Sequence, residues 1–432
     1  MVARLLMCAT LTLAVTSSTT AGSDEGPPET PAQRDARLAW WREARFGMFV
    51  HWGPVSIQGT EIGWSRAGER RGYSYGPGKE VPVETYDALY TRFDPTNYNP
   101  DEWVSIARDA GMKYVVLTSR HHDGFSMFDT KASDYRVTSP ACPHGRDIVG
   151  SLAESCHRAG MRFGLYYSQP DWHHPDAFTP RHDRYLTYLK TQLMELLSNY
   201  GTVDYLFFDG LSPEGGFKAY GGPALNELVR RLQPQIVLND RNGPPSDFDT
   251  PEQRIGGFQL DRPWETCMTL GTQWSYRPND RIKSLEECVQ TLARCAGGDG
   301  NLLLNVGPMP TGQIEPRQAA RLREIGAWLK TLGESISGTR GGPFRPSRDY
   351  ACTRAGNSIY LHVFRWDGEQ LNVPRIDAKV VAAKVLPEGT AAVEQSAGGL
   401  IVTVKKDRHN PIDTVVRLEL DRPASGLSPA LH

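Results

Sequence analysis

Residues 205–210 read Tyr-Leu-Phe-Phe-Asp-Gly, and this short stretch says most about the fold. Four apolar residues in a row are typical of a strand that is buried on both faces, as in a parallel sheet covered by helices. A carboxylate, Asp209, stands where this strand ends, and Gly210 breaks the strand. A charge that is buried without a partner is costly. Asp209 therefore either pairs with a cation or caps the next helix, or it takes part in chemistry.

Similar apolar runs recur along the chain and alternate with helical patterns. Leucines at 3- and 4-residue spacing predict a helix over 182–200 that ends at Gly201. Repeated strand and helix units over about 300 residues indicate a parallel sheet. The other predicted helices cover 101–110, 147–159 and 316–332, and the predicted strands cover 46–51, 114–119, 162–167, 205–208, 236–239 and 302–306.

Polar residues at the ends of these strands favour a closed barrel over an open, doubly wound sheet. His51, Ser168 and Asp209 each follow an apolar run, and so do the polar segments 120–123 and 240–241. A (β/α)8 barrel gathers the carboxyl ends of all its strands at one face, where active sites lie. No GxGxxG or Walker loop opens a turn between strand and helix, which counts against nucleotide-binding open sheets. The sequence therefore predicts an α/β fold with a (β/α)8-like TIM barrel.

The pattern changes after Gly341-Gly342-Pro343. Short strand-like runs separated by turn residues follow, and they predict a C-terminal all-β sandwich of about 90 residues. We expect this sandwich to pack against the barrel; the alternative is that it binds a distal part of a glycan. Its predicted strands cover 358–364, 379–385, 392–396, 400–405 and 414–420. The predicted domains are a signal peptide over 1–21, a Pro-rich linker over 22–34, the barrel over 35–340 and the sandwich over 341–432.

The N-terminus has the pattern of a secretory signal peptide. Arg4 precedes a short apolar stretch over 5–15, and small and hydroxyl residues lead to a plausible cleavage site after Ala21. The apolar stretch is too short to span a bilayer. We therefore expect a secreted or periplasmic protein. Six cysteines follow the signal without a CxxC pattern, so we expect zero to two disulfides and no structural zinc.

The charge balance narrows the classes of partner. The chain has 48 basic and 50 acidic residues, which gives no reason to expect a nucleic acid or a membrane as partner. A neutral substrate such as a sugar is compatible with this balance. Ten Trp and 17 Tyr lean weakly in the same direction, because aromatic rings stack on the C–H faces of sugars. The sequence carries no signal for an oligomeric state.

Glycoside hydrolysis would give Asp209 a use, because that reaction needs two carboxyl groups. In retaining enzymes one carboxylate attacks the anomeric carbon, and the other protonates the leaving oxygen and then activates water. The downstream candidates for the second group are Glu252 and Glu265. Glu252 lies in the Pro-, Gly- and Asp-rich stretch 243–257, so we expect it on a long loop, where catalytic groups are common. Glu265 follows Trp264 near a strand and suits a fixed, buried supporting role.

Seven short motifs occur in order along the chain, and each is of moderate specificity alone. They are FGMFVHWG at 46–53, HHDGF at 121–125, GLYYS at 164–168 with Asp171-Trp172 just beyond, FDG at 208–210, NDR at 239–241, WE at 264–265 and GNLLLNVGP at 300–308. Together they resemble glycoside hydrolase family 29, the retaining α-L-fucosidases, over roughly residues 35–340. The resemblance implies a (β/α)8-like barrel followed by a β-sandwich, in agreement with the patterns.

The resemblance also implies roles for individual residues. Asp209 matches the family's nucleophile, and Glu252 matches its acid/base, with Glu265 as the alternative. The substrate-binding candidates are His51, Trp64, His121, His122, Tyr167, Arg241, Glu265 and Trp274. The family often has Glu directly before a Trp after the first strand, whereas here Gly63 precedes Trp64 and Glu61 stands two residues earlier. We expect Asp209 to accept hydrogen bonds that keep it ionised, and Glu252 to be desolvated or close to a negative charge.

The implied function is that of a retaining exo-α-L-fucosidase, which removes terminal α-linked L-fucose from glycans through a covalent fucosyl-Asp intermediate and needs no cofactor. The alternative is a catalytically silent lectin that binds fucose on the same barrel. The adjacency of His121 and His122 raises the alternative of a metal pair. Neighbouring residues on a strand point to opposite faces, however, and form a poor chelate unless the strand bends there. We therefore predict no metal.

Overall fold

The structure is a computed structural model of the chain. It describes residues 29–73, 78–210 and 216–430. The predicted signal peptide, 1–21, lies outside the described residues, and so does most of the predicted linker, 22–34. Helical conformation begins at Pro31, within the last residues assigned to that linker.

By its internal contacts the chain divides into a unit that ends at Ala36 and a second unit that begins at Arg37. The described part of the first unit is 29–36. The helices are α1 (Pro31–Ala44), α2 (Val83–Asp87), α3 (Pro100–Asp109), α4 (Ile148–Arg158), α5 (His182–Ser198), α6 (Gly222–Leu232), α7 (Leu285–Gly297) and α8 (Pro316–Leu332). The first seven strands are β1 (Phe46–Val50), β2 (Tyr114–Arg120), β3 (Arg162–Ser168), β4 (Tyr205–Asp209), β5 (Val237–Leu238), β6 (Glu265–Thr269) and β7 (Asn301–Val306).

Eight further strands follow in the C-terminal part of the second unit. They are β8 (Arg340–Gly341), β9 (Tyr350–Ala355), β10 (Ser358–Val363), β11 (Gln370–Val373), β12 (Val380–Val385), β13 (Ala392–Ser396), β14 (Gly399–Thr403) and β15 (Thr414–Leu420). The predicted strands and helices are present, and their ends differ from the prediction by one or two residues. Strand β6 is not predicted from apolar runs, because its sequence, Glu-Thr-Cys-Met-Thr, is half polar.

Strands β1 to β7 form one curled sheet in the order β5-β4-β3-β2-β1-β7-β6, and all neighbours are parallel. This is the strand order of a (β/α)8 barrel in which β5 and β6 stand at the two edges. Helices α3, α4, α5 and α8 connect or follow successive strands, as the alternating pattern predicts. The predicted fold class, a TIM-like barrel followed by antiparallel sheets, is confirmed.

An irregular segment, 247–253, lies between the edge strands β5 and β6. Asp247 donates its backbone N–H to Leu238 O of β5 (2.8 Å). On the other side, Cys267 of β6 donates to Pro251 O (3.1 Å) and accepts from the N–H of Gln253 (2.9 Å). The segment thus takes the place of a further strand without regular strand geometry. Glu252 lies on the long connection between β5 and β6, as we expected, and the bridge to Cys267 fixes its backbone to the wall of the barrel.

Period-2 alternation along the strands separates two layers of core. Phe49, Tyr166 and Phe207 point into the barrel, where they pack on one another and on Trp41 and Leu303 in one apolar cluster. The residues next to them in sequence, such as Tyr167 and Phe208, belong to the layer between the sheet and the helices. Successive side chains of a strand point to opposite faces, so the choice of layer follows from the register.

The C-terminal strands form two antiparallel sheets, one in the order β12-β15-β10-β9-β8 and one in the order β11-β14-β13. They share an apolar cluster that includes Leu361, Val402 and Val416. The predicted boundary at 340/341 falls within β8, which pairs with β9. These sheets lie against α7: Gln290 donates to Ile412 O (3.0 Å), and the Arg294 guanidinium stacks on Phe364 at 4.3 Å. The contacts fit the packing role that we expected.

Across the described ranges, no helix combines the length and the apolar character that crossing a bilayer requires. The six cysteines within these ranges are all buried and free of disulfides: Cys142, Cys156, Cys267, Cys288, Cys295 and Cys352. This agrees with the lower end of the expected number of disulfides.

Candidate active site

A cavity of about 150 Å³ opens at the carboxyl ends of the barrel strands. Its volume is below the 300–1,000 Å³ of sites for drug-sized ligands, which suits a single sugar ring. Its walls combine carboxylates, imidazoles, one guanidinium and aromatic rings. The lining residues are Phe49, His51, Trp64, Tyr73, His121, His122, Tyr166, Phe207, Asp209, Gly210, Arg241, Glu252, Cys267 and Trp274.

Asp209, the last residue of β4, accepts three hydrogen bonds in this cavity. Its Oδ1 accepts from Arg241 Nη1 (2.7 Å) and from the N–H of Gly210 (2.8 Å), and its Oδ2 accepts from the Tyr166 hydroxyl (2.6 Å). Burial by itself would raise the pKa of Asp209. The charge of Arg241 and the hydrogen bond from Tyr166 outweigh burial, and the pKa lies below its ordinary value. The carboxylate is thus ionised and accepts hydrogen bonds, as we expected, and it is also partly exposed.

Arg241 joins the two carboxylates of the site. It follows β5, and its Nη1 donates to Asp209 while its Nη2 donates to Glu252 Oε2 (2.6 Å). Its Nε donates to Thr250 Oγ1 (3.2 Å), and its guanidinium lies over Phe207 at 5.0 Å. A planar guanidinium fixes both the distance and the angle between its partners. The structure therefore brings Glu252 to the cavity beside Asp209.

The surroundings of Glu252 match one of the two conditions that we expected. The side chain is 41% exposed, so the expected desolvation is not found. A negative charge is close, however, because Asp209 binds the other nitrogen of the same guanidinium. The backbone at Glu252 bridges to Cys267 of β6. The carboxyl is thus held at the cavity mouth, where a group leaving the cavity would pass.

His51 and His122 have hydrogen bonds that fix their tautomers. Asn305 donates its amide to Trp274 O, so its Oδ1 faces His51 and accepts from Nδ1–H (2.7 Å). The Ser168 hydroxyl donates to Pro170 O and therefore accepts from His122 Nδ1–H (2.7 Å). In a neutral ring this leaves Nε2 as a hydrogen-bond acceptor.

Both rings are neutral at ordinary pH. Burial lowers the pKa of His51 to about 3 and the pKa of His122 to about 4. His122 Nε2 lies 3.6 Å from Asp209 Oδ2, so two acceptors face each other across that gap. A sugar hydroxyl beside this gap can donate its one proton to either acceptor. The two histidines are therefore poised to receive hydroxyl groups.

The side chains of His121 and His122 both face the cavity. Strand β2 has an irregular register between Thr118 and Arg120 and ends there, so the alternation we relied on does not apply to the two residues that follow. The rings lie 4.1 Å apart, and His121 stacks on Tyr166 at 5.3 Å. The expectation that they point to opposite faces is wrong.

This placement also creates a group that could hold a metal ion. His121, His122 and Asp209 each offer one ligand atom, and these atoms lie within 4.8 Å of one another. The Arg241 guanidinium on Asp209 places a positive charge beside that position and opposes a second cation there. The absence of a metal from the activity stays a prediction.

Tyr167 does not reach the cavity, although it is one of the predicted substrate-binding residues. Its hydroxyl donates to Gln192 Oε1 of α5 (2.9 Å), and the Arg120 guanidinium stacks on its ring at 4.3 Å. Its neighbour Tyr166 lines the cavity and bonds to Asp209. The prediction for Tyr167 is wrong because side chains alternate between the two faces of β3. Tyr166 pairs with Phe207, which points into the barrel, so Tyr167 faces the helices.

Glu265 does not reach the cavity either. It is the first residue of β6, at the closed end of the barrel, whereas Asp209 is the last residue of β4. Its carboxyl accepts from Trp41 Nε1 (3.0 Å), from the Tyr205 hydroxyl (2.6 Å) and from the Tyr114 hydroxyl. Four residues along a strand correspond to roughly 13 Å, so Glu265 cannot face Asp209 across a sugar. Its buried position fits the supporting role but not the acid/base or sugar-binding role.

Trp64 and Trp274 both line the cavity, and their role in substrate binding stays a prediction. Trp64 meets His122 edge-on at 5.5 Å, and Trp274 packs on His51 at 4.8 Å. Sequence reasoning did not find Tyr166, Phe207, Cys267, Tyr73 and Gly210. Two of them could have been found by counting back from a polar strand end: Phe207 lies two residues before Asp209, and Tyr166 lies two before Ser168.

A barrel whose open end holds two carboxylates around a pocket for one sugar ring is the arrangement of a glycoside hydrolase. The profile of the alpha-L-fucosidase family matches residues 12–334. The chain belongs to this family and is a glycoside hydrolase. It is similar to the plasma alpha-L-fucosidase of Homo sapiens, with 34% identity over 329 residues that cover 70% of each chain.

Solved structures agree with this assignment. The chain is similar to alpha-L-fucosidase isoenzyme 1 from Paenibacillus thiaminolyticus, with a TM-score of 0.80, 32% identity and coverage of 90% of this chain and 99% of that one. It is also similar to a glycoside hydrolase family 29 alpha-L-fucosidase from Bacteroides thetaiotaomicron, with a TM-score of 0.76, 25% identity and coverage of 92% and 98%. That structure is of a trapped covalent intermediate formed with 2-fluoro-fucosyl fluoride in a Glu-to-Gln variant.

Proposed function

We propose that the chain is a retaining exo-α-L-fucosidase in which Asp209 is the nucleophile and Glu252 is the acid/base. The observation that carries the proposal is the bridge through Arg241, which holds both carboxylates at one small cavity. Asp209 is kept ionised within the cavity, and Glu252 stands at its more exposed mouth. One carboxylate for attack and one for proton transfer are what a retaining mechanism requires.

In the first step, an oxygen of Asp209 attacks the anomeric carbon of the sugar. The bond from this carbon to the leaving oxygen breaks, and Glu252 delivers its proton to that oxygen. The departing glycan carries this proton away as a hydroxyl. A fucosyl ester on Asp209 and an ionised Glu252 remain. Arg241, bonded to both groups, can compensate the negative charge as it moves from one to the other.

In the second step, water attacks the same carbon and gives a proton to Glu252. The ester bond to Asp209 breaks, and the carboxylate recovers its hydrogen bonds from Tyr166, Arg241 and Gly210. Two displacements return the sugar with its original anomeric configuration. The side chain of Glu252 is exposed enough for water to approach it.

The rest of the cavity fits the binding of L-fucose. Neutral His51 and His122 present Nε2 as acceptors for sugar hydroxyls, and His121 completes a row of three imidazoles. Trp64 and Trp274 offer apolar faces for the ring and the methyl group. The proposed substrate-binding residues are therefore His51, Trp64, His121, His122, Arg241 and Trp274, with Tyr166 in place of Tyr167. A cavity for one sugar ring favours exo-action on terminal fucose.

The covalent intermediate has support from the Bacteroides relative, which was trapped as such with 2-fluoro-fucosyl fluoride. The same reagent provides the test in this chain. A slow second step should let a fucosyl group accumulate, and mass spectrometry of the digest should find it on the peptide that contains Asp209. Label on another peptide, or no label with an active enzyme, would contradict the proposed nucleophile.

The activity is tested with a nitrophenyl α-L-fucoside between pH 4 and 8. Turnover with initial release of the α-anomer, followed by NMR, supports the retaining enzyme. Binding of fucose without any turnover across this range would establish the lectin alternative. A panel of aryl glycosides in which another sugar is turned over faster would assign a different exo-glycosidase.

We also propose that the natural substrates are fucosylated glycans outside the cytosol. The signal-like N-terminus and the similarity to a protein named for plasma support this location. N-terminal sequencing of the protein exported by its host should begin just after Ala21. Recovery of the full chain from the cytosol, beginning at Met1, would contradict export.

A further inference from the structure

Glu61 stands beside the cavity but does not line it. Its carboxylate accepts hydrogen bonds from backbone N–H groups of the loop that follows β6. Trp274 N lies 2.9 Å from Oε2 and 3.1 Å from Oε1, and Ser275 N lies 3.3 Å from Oε1. The N–H of Ile62 donates to the same Oε1 (3.1 Å). Both oxygens of Glu61 are thus engaged with backbone groups.

Two further hydrogen bonds join the segment 60–62 to Ser275. The Ser275 hydroxyl donates to Thr60 O (2.8 Å) and accepts from the N–H of Ile62 (3.0 Å). From the barrel, Asn305 of β7 donates to Trp274 O (2.7 Å). The backbone on both sides of the Trp274 side chain is therefore fixed, and Glu61 supplies the only charged group among these contacts.

The place directly before Trp64 could not hold a glutamate without rearrangement. That place is taken by Gly63, whose φ is +65°, and a Cβ there would lie 2.8 Å from His121 Nδ1. The carboxylate of Glu61 points toward the backbone of 274–275. Burial raises the pKa of Glu61 to about 7, against the effect of these N–H groups.

Trp274 lies beside β1, on the side of the cavity away from Asp209. It packs on His51 at 4.8 Å and on Phe49 at 6.0 Å, both on or next to β1. Asp209 ends β4, three strands away in the sheet. An indole has no group that attacks or transfers a proton, so this wall contributes to binding before and during the reaction alike.

We infer that Glu61 is a positioning residue that holds the Trp274 wall of the sugar cavity. It acts through the backbone of the loop and does not touch the sugar. The functional part of this inference rests on the proposed function, since it takes Trp274 to be a wall for the sugar. The structural part, the carboxylate clamp on the amides of 274 and 275, does not depend on any activity.

The structural part is tested by hydrogen exchange of the full chain. In Glu61→Ala, the peptide that covers 271–280 should exchange faster, because the hydrogen bonds that protect the amides of 274 and 275 are lost. Peptides of β4 and β7 should be unchanged. Glu69→Ala, at an exposed glutamate of the same region, is the matched control and should exchange like the parent. Equal exchange of 271–280 in Glu61→Ala and the parent would overturn the clamp, whether or not the protein is active.

The functional part is tested by a double-mutant cycle on an aryl fucoside. Glu61→Ala should raise KM about tenfold with little change in kcat, as for a lost contact that is equal in the ground and transition states. If Glu61 acts through Trp274, the variant Glu61→Ala/Trp274→Ala should have nearly the KM of Trp274→Ala alone. Full additivity of the two effects, or a fall in kcat alone, would overturn the inference.

Glu61→Gln is a second variant for the same measurements, in case Glu61→Ala folds poorly. It keeps the length of the side chain and one acceptor oxygen, so its KM should lie between those of the parent and Glu61→Ala. A KM equal to that of the parent, with unchanged exchange over 271–280, would also overturn the inference. If the parent itself shows no turnover on fucosides, the proposed function fails while the exchange result still decides the clamp.

Discussion

Two carboxylates lie inside the barrel, one near each end, and their surroundings are opposite in kind. Asp209 ends β4 at the open end and is bonded to the guanidinium of Arg241. Glu265 begins β6 at the closed end and is bonded to neutral groups, the indole of Trp41 and the hydroxyls of Tyr114 and Tyr205. Both are carboxyl groups that accept hydrogen bonds from a tyrosine.

The difference shows that a fixed cation, more than hydrogen bonding, decides the charge of a buried carboxyl. Burial acts on both groups to raise the pKa. At Asp209 the charge of Arg241 overcomes burial and the pKa is lowered, whereas at Glu265 neutral donors do not overcome it and the pKa rises to about 7. One group is ready to act as a nucleophile, and the other holds three side chains together.

The strongest test of the comparison removes the carboxylate at the open end. Asp209→Ala should lower kcat by at least about 10⁴-fold, because no other group is placed to form the ester. Arg241 keeps its bond to Glu252, so the melting temperature should change little. Azide should restore part of the rate by entering the vacated space. A rate near that of the parent on an aryl fucoside would show that Asp209 is not the nucleophile.

Substitution of Glu265, at the closed end of the barrel, should lower the stability of the protein. Glu265→Ala leaves the donors of Trp41, Tyr114 and Tyr205 buried without their acceptor, and we expect the free energy of unfolding to fall by about 3–5 kcal/mol. Glu265→Gln, which keeps an acceptor oxygen, should lose less. Denaturant unfolding measures the difference. The folded fraction of either variant should keep its preference between substrates with good and poor leaving groups.

The preference between substrates with good and poor leaving groups should distinguish Glu252 from Glu265. Glu252→Ala should lower the rate on natural fucosides by about 10²-fold or more, and much less on nitrophenyl fucosides, whose leaving groups need little protonation. The ratio of the two losses, from kcat/KM, is the measurement. If Glu265→Ala shows this selectivity and Glu252→Ala does not, the proposed acid/base is wrong.

The smallest effect tests the alternation on β3. Tyr166→Phe removes a hydrogen bond to Asp209 and should lower kcat/KM about tenfold. Tyr167→Phe removes a hydrogen bond to Gln192 on the outer face of the sheet and should leave kcat/KM close to that of the parent. Equal losses in the two variants would contradict the register that places Tyr166, and not Tyr167, at the cavity.

Much of the barrel could be predicted because its strands and helices carry local patterns. Apolar runs identified six of the seven parallel strands, and polar residues at their ends indicated the face of the site. Strand β6 was missed because the barrel wall, and not an apolar pattern, gives Glu265–Thr269 its strand conformation. The irregular segment 247–253 was missed for the same reason, since its hydrogen bonds go to strands distant in sequence.

The sequence alone determined the class of fold, the place of Asp209 at a strand end and the family whose motifs surround it. These follow from local periodicity and from short motifs, both of which a single chain displays. Only the tertiary structure decided that Tyr166 and not Tyr167 faces the cavity, that His121 and His122 turn to the same side, and which glutamate lies beside Asp209. Those outcomes depend on register, on where a strand ends and on the partner that each charge meets. Such contacts join residues far apart in the chain, so they exist only once the barrel has formed.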